Sequence, residues 1–102
     1  MPMYFEDFEV GQRFTTPART VTEADVVNFA GVSGDYNPIH TDAEFAKSTP
    51  FGQRIAHGLL VLSMLTGLRQ RTGHCEGTVI AWLEIRNYKF LKPVLIGDTV
   101  RG

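Results

Sequence analysis

The sequence predicts an α+β fold in which a β-sheet wraps around one long buried helix. Residues 58–71 are apolar at most positions and on every side, which is typical of a helix buried all round. Residues 78–91 are rich in β-branched and aromatic side chains with partial alternation, which indicates strand structure. At 102 residues, the chain is large enough for one core and short for two. We therefore expect a single domain over residues 1–102.

The composition excludes several classes of protein. With 43% hydrophobic and 21% charged residues, the chain resembles a folded globular protein. A formal net charge of −1, with Lys and Arg scattered, predicts no nucleic-acid partner. Cys75 is the single cysteine and no signal-peptide pattern opens the sequence, so we expect a cytoplasmic protein. The longest mostly apolar run, Leu59–Leu68, is too short to cross a bilayer, so no membrane partner is expected.

The first elements follow from turn and capping signals. Residues 12–21 are predicted to be extended and to break near Pro17, which lacks the N–H that a central strand uses. Thr22 then occupies an N-cap position with Asp25 three residues later, a variant of the capping box. This signal predicts a short helix that ends near Gly31.

Two more helices are predicted before the strand region. Thr41 as N-cap, with Glu44 at the third helical position, predicts a short helix over residues 42–47. The loop of residues 48–54 separates it from the long helix, which begins at Gly58 and ends near residue 71. The strand region of residues 78–91 follows, and another strand is predicted to begin within residues 98–102.

The stretch SGDYNPIHTD, residues 33–42, indicates acid–base chemistry. A surface turn would use its Gly, Asn, Asp and Pro residues, but it has no need of His40. Gly34 can adopt positive φ, and Asn37 precedes a proline that biases it away from helix, so the loop can fold back. Asp35 and His40 could then share a water molecule and exchange protons with it. The alternative is an ordinary Asx turn with a histidine nearby.

A second stretch, RIAHGLL at residues 54–60, indicates an anion-stabilising position. Gly58 lies where the long helix begins, so its N–H has no partner within the helix and the helix dipole favours negative charge there. A glycine also lets a ligand oxygen approach the backbone closely. Such a donor suits the oxyanion that forms on a thioester when water adds to a conjugated double bond. The alternative is a glycine retained for tight packing.

SGDYNPIH followed by FGQRIAHGLL resembles the signature of the MaoC-like dehydratases, which include the (R)-specific enoyl-CoA hydratases and have the hot-dog fold. The resemblance covers essentially the whole chain. It implies a lyase that hydrates an enoyl thioester or dehydrates a 3-hydroxyacyl thioester. The implied substrate is an acyl-CoA or acyl-carrier-protein thioester, with no metal or redox cofactor. It also implies a homodimer or higher homo-oligomer, since a hot-dog sheet has edge strands that a second copy can pair.

The resemblance assigns roles to individual residues. Asp35 and His40 match the catalytic pair that binds water, and Asn37 matches the motif asparagine, which we expect to brace the loop. The N–H of Gly58 matches the donor to the thioester oxygen. Thr66 matches a position where the hydratases often have a serine facing the site, although its hydroxyl could instead bond back to its own helix.

The remaining polar residues are expected to have structural roles. Ser63 is interpreted as a packing or back-bonding residue, and His57 as structural. His74 and Cys75 are adjacent, which is a poor spacing for metal ligands, so no metal site is predicted.

Two other functions stay open at this point. A hot-dog thioesterase would direct water at the carbonyl carbon, although the Asp–x–Asn–Pro–x–His spacing favours hydration. A non-catalytic acyl-thioester-binding subunit is the third possibility. Family members usually continue for several strands after a GDTV-like turn, whereas this sequence stops at Gly102. We therefore expect that the sheet is completed by missing strands or by a partner chain.

Overall fold

The computed structural model describes residues 2–102, which contain four α-helices and one small antiparallel sheet. A short 3-10 turn precedes them near the N-terminus. None of the described helices combines the length and the apolar character that crossing a membrane requires. In chain order the elements are β1 (Arg19–Thr20), α1 (Glu23–Ser33), α2 (Pro38–Thr41), α3 (Ala43–Lys47), α4 (Gly58–Gln70) and β2 (Thr99–Val100).

The predicted capping box starts α1. The Thr22 hydroxyl accepts the Asp25 N–H at 3.2 Å, and the Asp25 carboxylate accepts the Thr22 N–H at 2.9 Å. The helix passes Gly31, where the sequence predicted its end, and continues to Ser33. It ends there because Gly34 adopts the left-handed conformation, with φ of 76°. The prediction that Gly34 can supply a positive φ is thus confirmed, while the predicted end was two residues too early.

Residues 38–41 form one helical turn, α2, where the sequence predicted a loop. The Asn37 side chain caps this turn, and Pro38 occupies its first position, where a fixed φ and a missing N–H cost nothing. Because Thr41 belongs to α2, it is not the N-cap of the next helix, and that prediction was wrong. Asp42 caps α3 instead by accepting the N–H of Phe45 at 3.0 Å.

The long helix α4 confirms the predicted central helix to within one residue at its end. Its buried side chains are Leu60, Met64 and Leu68, which repeat every fourth residue and therefore share one face. Leu59 is 60% exposed, so the prediction of burial on all sides is wrong for the chain described. Helix α1 packs against one side of α4, and no sheet within residues 2–102 covers the other sides.

The core lies where β1, α1 and α4 meet. Its buried cluster is formed by Val21, Val26, Ala56, Leu60 and Met64. Beside it, β1 and β2 pair antiparallel, which confirms the predicted strand in residues 98–102. Of the stretch 12–21, predicted to be extended, only the two residues of β1 pair with another strand.

Residues 78–91 contain no strand, so the prediction of strand structure there was wrong for this chain. Its apolar side chains are instead largely in solvent, with Ile80, Leu83 and Leu91 exposed by 100%, 92% and 84%. The β-branched and aromatic pattern reports a preference for packing between neighbouring strands rather than an intrinsic backbone state. Within residues 2–102 no neighbouring strand lies beside this segment, so the preference is not satisfied.

Candidate active site

The loop between α1 and α2 is held by hydrogen bonds from its own side chains. The Asp35 N–H donates to the Ser33 hydroxyl at 3.1 Å. The Asn37 N–H donates to Oδ1 of Asp35, and the Ile39 N–H donates to Oδ1 of Asn37, both at 3.1 Å. These are two consecutive Asx turns. The Asn37 side chain thus takes part in the second turn, as a loop-bracing role would require, and Oδ2 of Asp35 is not used in these turns.

His40 is buried on α2 and oriented by one backbone carbonyl. Its Nδ1 lies 2.8 Å from the carbonyl oxygen of Ile55. Because a carbonyl only accepts, Nδ1 carries a proton and Nε2 is the nitrogen that faces the site. Nε2 lies 3.9 Å from Oδ2 of Asp35, whose side chain is half exposed. The structure thus brings the two predicted acid–base residues together, at a separation wider than a direct hydrogen bond.

His57 lies against both members of this pair. It is 3% exposed and is the residue immediately before α4. Its Nε2 lies 2.9 Å from the carbonyl oxygen of Asp35. Its ring stacks on that of His40, with ring centroids 3.8 Å apart and planes 26° apart. On its other side it contacts the ring of Phe29, at 5.0 Å between centroids.

The first turn of α4 presents an unpaired backbone donor beside this cluster. His57 provides no side-chain cap, and within the described residues the Gly58 N–H has no protein acceptor. Both a peptide dipole and a free N–H therefore point out of the helix start. The ring of Phe90 lies close by, so a Cβ added at Gly58 would overlap its edge.

Two cavities meet at this point. One, of about 450 Å³, is lined by the acid–base pair together with Phe29, Gly58 and Phe90. The other, of about 460 Å³, shares His40, Gly58 and Phe90 but is otherwise mostly apolar, with Val61 among its lining side chains. The arrangement gives a chamber that holds the acid–base pair and an adjoining groove lined mostly by apolar residues, the apolar groove, with Gly58 at the junction of the two.

Thr66 lies away from this junction. Its hydroxyl donates to the carbonyl oxygen of Ser63 at 2.6 Å, as the back-bonding alternative expected. The hydroxyl of Ser63 likewise donates to Leu59, four residues earlier. Thr66 lines a separate cavity that it shares with Trp82. It is eight residues from Gly58, about 12 Å along the helix at ~1.5 Å per residue. Its role in binding substrate stays a prediction.

An ion pair anchors the segment that leads into the site. Arg54 binds both carboxylate oxygens of Glu23, with Nη1 donating to Oε1 at 2.9 Å. The hydrogen bond from Arg54 lowers the pKa of Glu23 from its ordinary value of 4.5, and the same bond raises the pKa of Arg54. The pair joins the first turn of α1 to the residues that precede His57.

Asp35, His40 and His57 also offer potential metal ligands within 4.8 Å of one another. However, Nδ1 of His40 and Nε2 of His57 are both engaged by carbonyl oxygens. The two rings are close to parallel, so their remaining lone pairs do not converge on one point. The cluster is better suited to exchanging protons than to coordinating a metal.

The sequence predicted most of this cluster but missed two members. Asp35, Asn37, His40 and Gly58 are brought together, whereas His57 was interpreted as structural only. The position of His57 immediately before Gly58 could have indicated its place at the site. Phe90 was missed because its contact with Gly58 depends on a fold-back of 32 residues that no local pattern reveals.

The chain is similar to characterised and solved proteins over nearly its whole length. A family model described as the MaoC-like domain matches residues 7–102. Protein MaoC of Klebsiella aerogenes is 42% identical over 98 residues, which cover 96% of this chain and 29% of that protein. The 3-hydroxybutyryl-CoA dehydratase of Methylorubrum extorquens is 40% identical over 98 residues, 96% of this chain and 60% of that one. The (R)-specific enoyl-CoA hydratase of Rhodospirillum rubrum is 38% identical over 97 residues, which cover 95% of this chain and 65% of that protein. The chain thus spans less than two thirds of each of these relatives.

Solved structures agree with this similarity. A monoamine oxidase regulatory protein from Archaeoglobus superposes with a TM-score of 0.88 at 43% identity, covering 98% of this chain and 67% of that one. The (R)-hydratase of A. caviae involved in PHA biosynthesis superposes with a TM-score of 0.75 at 34% identity, covering 94% of this chain and 70% of that one. The predicted α+β class is confirmed. The chain belongs to the MaoC-like domain family, and its fold is the hot-dog fold of the hydratases in that family.

Proposed function

We propose that this protein is a hydro-lyase that adds water to the double bond of an enoyl thioester, or removes water from a 3-hydroxyacyl thioester. The observation that carries the proposal is the 3.9 Å gap between Nε2 of His40 and Oδ2 of Asp35. One water molecule about 2.8 Å from each atom would be held by both. The relatives named 3-hydroxybutyryl-CoA dehydratase and (R)-specific enoyl-CoA hydratase support this reaction class.

The proposed reaction needs one base and one acid. In hydration, one member of the Asp35–His40 pair takes a proton from water while the water oxygen bonds to the β-carbon. The π electrons move toward the thioester, and the other member delivers a proton to the α-carbon. Because Nδ1 of His40 is bound to Ile55, Nε2 is the nitrogen that exchanges the proton. Dehydration follows the same steps in reverse.

Negative charge develops on the thioester oxygen during this addition, and we assign its stabilisation to the Gly58 N–H. Gly58 lines both the chamber that holds the acid–base pair and the apolar groove. A thioester carbonyl placed there would leave its α- and β-carbons beside Asp35 and His40. The α4 dipole would add to the effect, since its positive end lies at the same point.

The apolar groove suits an acyl chain, and the carrier is proposed to be coenzyme A or an acyl-carrier protein. The reaction moves only protons and a hydroxyl group, so we propose no metal or redox cofactor. Activity should therefore survive dialysis against a chelator. We also propose that residues 1–102 form one domain and that it assembles at least as a homodimer. The exposed apolar side chains of residues 79–91 support association.

Hydration of crotonyl-CoA, followed as loss of enoyl absorbance, tests the proposed function. A parallel assay for free thiol distinguishes a thioesterase, which would release coenzyme A while the double bond stays intact. Binding measured by calorimetry without either reaction would indicate a non-catalytic acyl-thioester-binding subunit. Crotonyl-carrier protein in place of crotonyl-CoA separates the two carriers. Thiol release with the double bond intact, or binding without either reaction, would refute the hydro-lyase proposal.

A further inference from the structure

His57 is the buried polar side chain that the proposed reaction does not use. Its ring is fixed between Phe29 on α1 and His40 on α2, and its backbone precedes α4. The side chain therefore contacts two helices from the residue that begins the third. Its Nδ1 is also the single buried side-chain polar atom, within residues 2–102, that has no hydrogen-bond partner. A buried group left unpaired in this way calls for an explanation, because such groups are rare in folded proteins.

The partners of its two ring nitrogens determine which one carries the proton. Nε2 of His57 faces the carbonyl oxygen of Asp35 at 2.9 Å, and a carbonyl can only accept. With the proton on Nδ1, two lone pairs would face each other at Nε2, and the Nδ1–H would be buried without an acceptor. The geometry therefore assigns the donor role to Nε2. The unpaired Nδ1 is the consequence of using Nε2 as the donor.

This donor fixes the backbone that carries the Asp35 carboxylate. The carboxylate itself is half exposed, and Oδ1 is held only by the N–H of Asn37 within its own loop. The bond from His57 reaches the same residue from 22 positions away, across the interface between the loop and α4. It is the contact that ties the loop to the helix start where Gly58 lies.

The same ring fixes the plane of His40. Nδ1 of His40 is bound at one point, to Ile55, and a single hydrogen bond leaves the imidazole free to tilt about it. Stacking against His57 at 3.8 Å removes this freedom. Nε2 of His40 is then aimed at Oδ2 of Asp35. His57 thus acts on the orientation of both members of the pair.

We propose that His57 is a positioning residue: its Nε2–H holds the Asp35 backbone and its ring face holds the His40 imidazole, so that the two reacting groups keep a water-sized separation. This inference rests on the proposed hydro-lyase function. The two contacts can be removed separately. His57→Phe keeps a flat ring for stacking but has no donor, whereas His57→Gln keeps an N–H of similar reach but has no ring.

We expect His57→Phe to lower kcat for crotonyl-CoA hydration by ~10–100-fold with KM changed less than about threefold, the range seen when a residue that orients a reacting group is removed. His57→Gln should recover part of this loss by restoring the donor. His74→Phe is the matched control, since His74 also packs on an aromatic ring but lies in a different cavity. It should keep the wild-type kcat. Equal kcat for wild type and His57→Phe, or a loss confined to melting temperature, would overturn the proposal.

The proton positions can be measured without any activity. In two-bond ¹H–¹⁵N correlation spectra of ¹⁵N-histidine-labelled protein near neutral pH, His57 should show the proton on Nε2. A spectrum with the proton of His57 on Nδ1 would overturn the contact to Asp35, even where every variant folds and turns over. An inactive wild-type chain would refute the proposed function instead, and the spectrum of the same sample would still decide the contact.

Discussion

Replacing Gly58 by alanine is the sharpest test of the proposed oxyanion donor. The change keeps the backbone N–H but adds a Cβ at the start of α4, at the junction of the two cavities. That Cβ would overlap the edge of the Phe90 ring, so the ring has to move. The thioester oxygen must approach the same N–H, and the methyl group obstructs that approach. We expect the variant to fold and to lose turnover.

The expected size of the loss follows from what a single donor contributes. Removing one oxyanion-hole hydrogen bond typically lowers kcat by roughly two to three decades. Stability should change far less, because alanine favours a helix over glycine by about 1 kcal/mol or less near a helix end, which offsets part of the cost of moving Phe90. The variant should therefore show a large fall in kcat with a small change in melting temperature.

Two controls separate the causes. Gly67→Ala lies on the same helix, and its added Cβ would meet no atom within 4 Å, so it should keep wild-type kcat. Combining Gly58→Ala with Phe90→Ala removes the overlap between Cβ and ring. The double variant should keep the low kcat, because the methyl group at residue 58 still obstructs the approach of the thioester oxygen. If Gly58→Ala alone melts earlier and yet turns over normally, the glycine serves packing, and the oxyanion assignment is wrong.

Further predictions concern the acid–base pair, the ion pair of Glu23 with Arg54, and the oligomeric state. Asp35→Asn and His40→Gln should each lower kcat by roughly two to four decades while the circular dichroism spectrum stays unchanged. The double variant should lose little more activity than the less active single variant. Near-full hydratase activity of Asp35→Asn would contradict the mechanism. The Arg54 contact lowers the pKa of Glu23, so the stabilising contribution of this ion pair is present above pH 4.5 and disappears as pH falls through the lowered pKa. Between about pH 6 and pH 3, the melting temperature of Glu23→Gln should therefore fall less than that of the wild type. Equal slopes of melting temperature against pH would refute this. Sedimentation at micromolar concentration should show a dimer or larger species, and an 11.4 kDa monomer would count against assembly.

The parts of the fold that the sequence predicted are those fixed by nearby residues. The capping box of Thr22 and Asp25 and the apolar run of α4 depend on spacings of three and four positions, and both are present. The position of the second cap was missed because Thr41 and Asp42 are adjacent and both residue types can cap a helix. Asp42 caps α3 because Thr41 belongs to α2, and the pattern of residues 42–47 does not indicate that α2 is present.

Segment 78–91 shows the opposite case. Its composition indicates a preference for strand structure, but a strand is completed by hydrogen bonds to a neighbour. The neighbour is a property of the whole sheet, so no window of the sequence contains it. The burial predicted for α4 failed for the same reason, since Leu59 needs a sheet to cover it.

The candidate site was more predictable than the sheet because its frame is local. Asp35 and His40 are five positions apart, and the Asn37 cap on α2 brings them together through bonds that span two residues each. The contact from His57 to Asp35 spans 22 residues and depends on how α4 packs, so the sequence predicted only a structural role for His57 and did not predict this contact.

The site therefore has two parts. One part is held by contacts within a short stretch of the chain, and the other depends on a segment further along the sequence. The acid–base pair and the Gly58 donor lie on the helices and loop of residues 33–58, and their geometry is set by bonds within that stretch. The apolar groove is closed on one side by Tyr88 and Phe90, which belong to the segment that lacks strand neighbours. Pairing of that segment with another strand would reshape the groove that we propose for the acyl chain, while leaving the geometry of Asp35 and His40 in place. Under the proposed function, different stretches of this sequence therefore determine the reaction type and the choice of acyl chain.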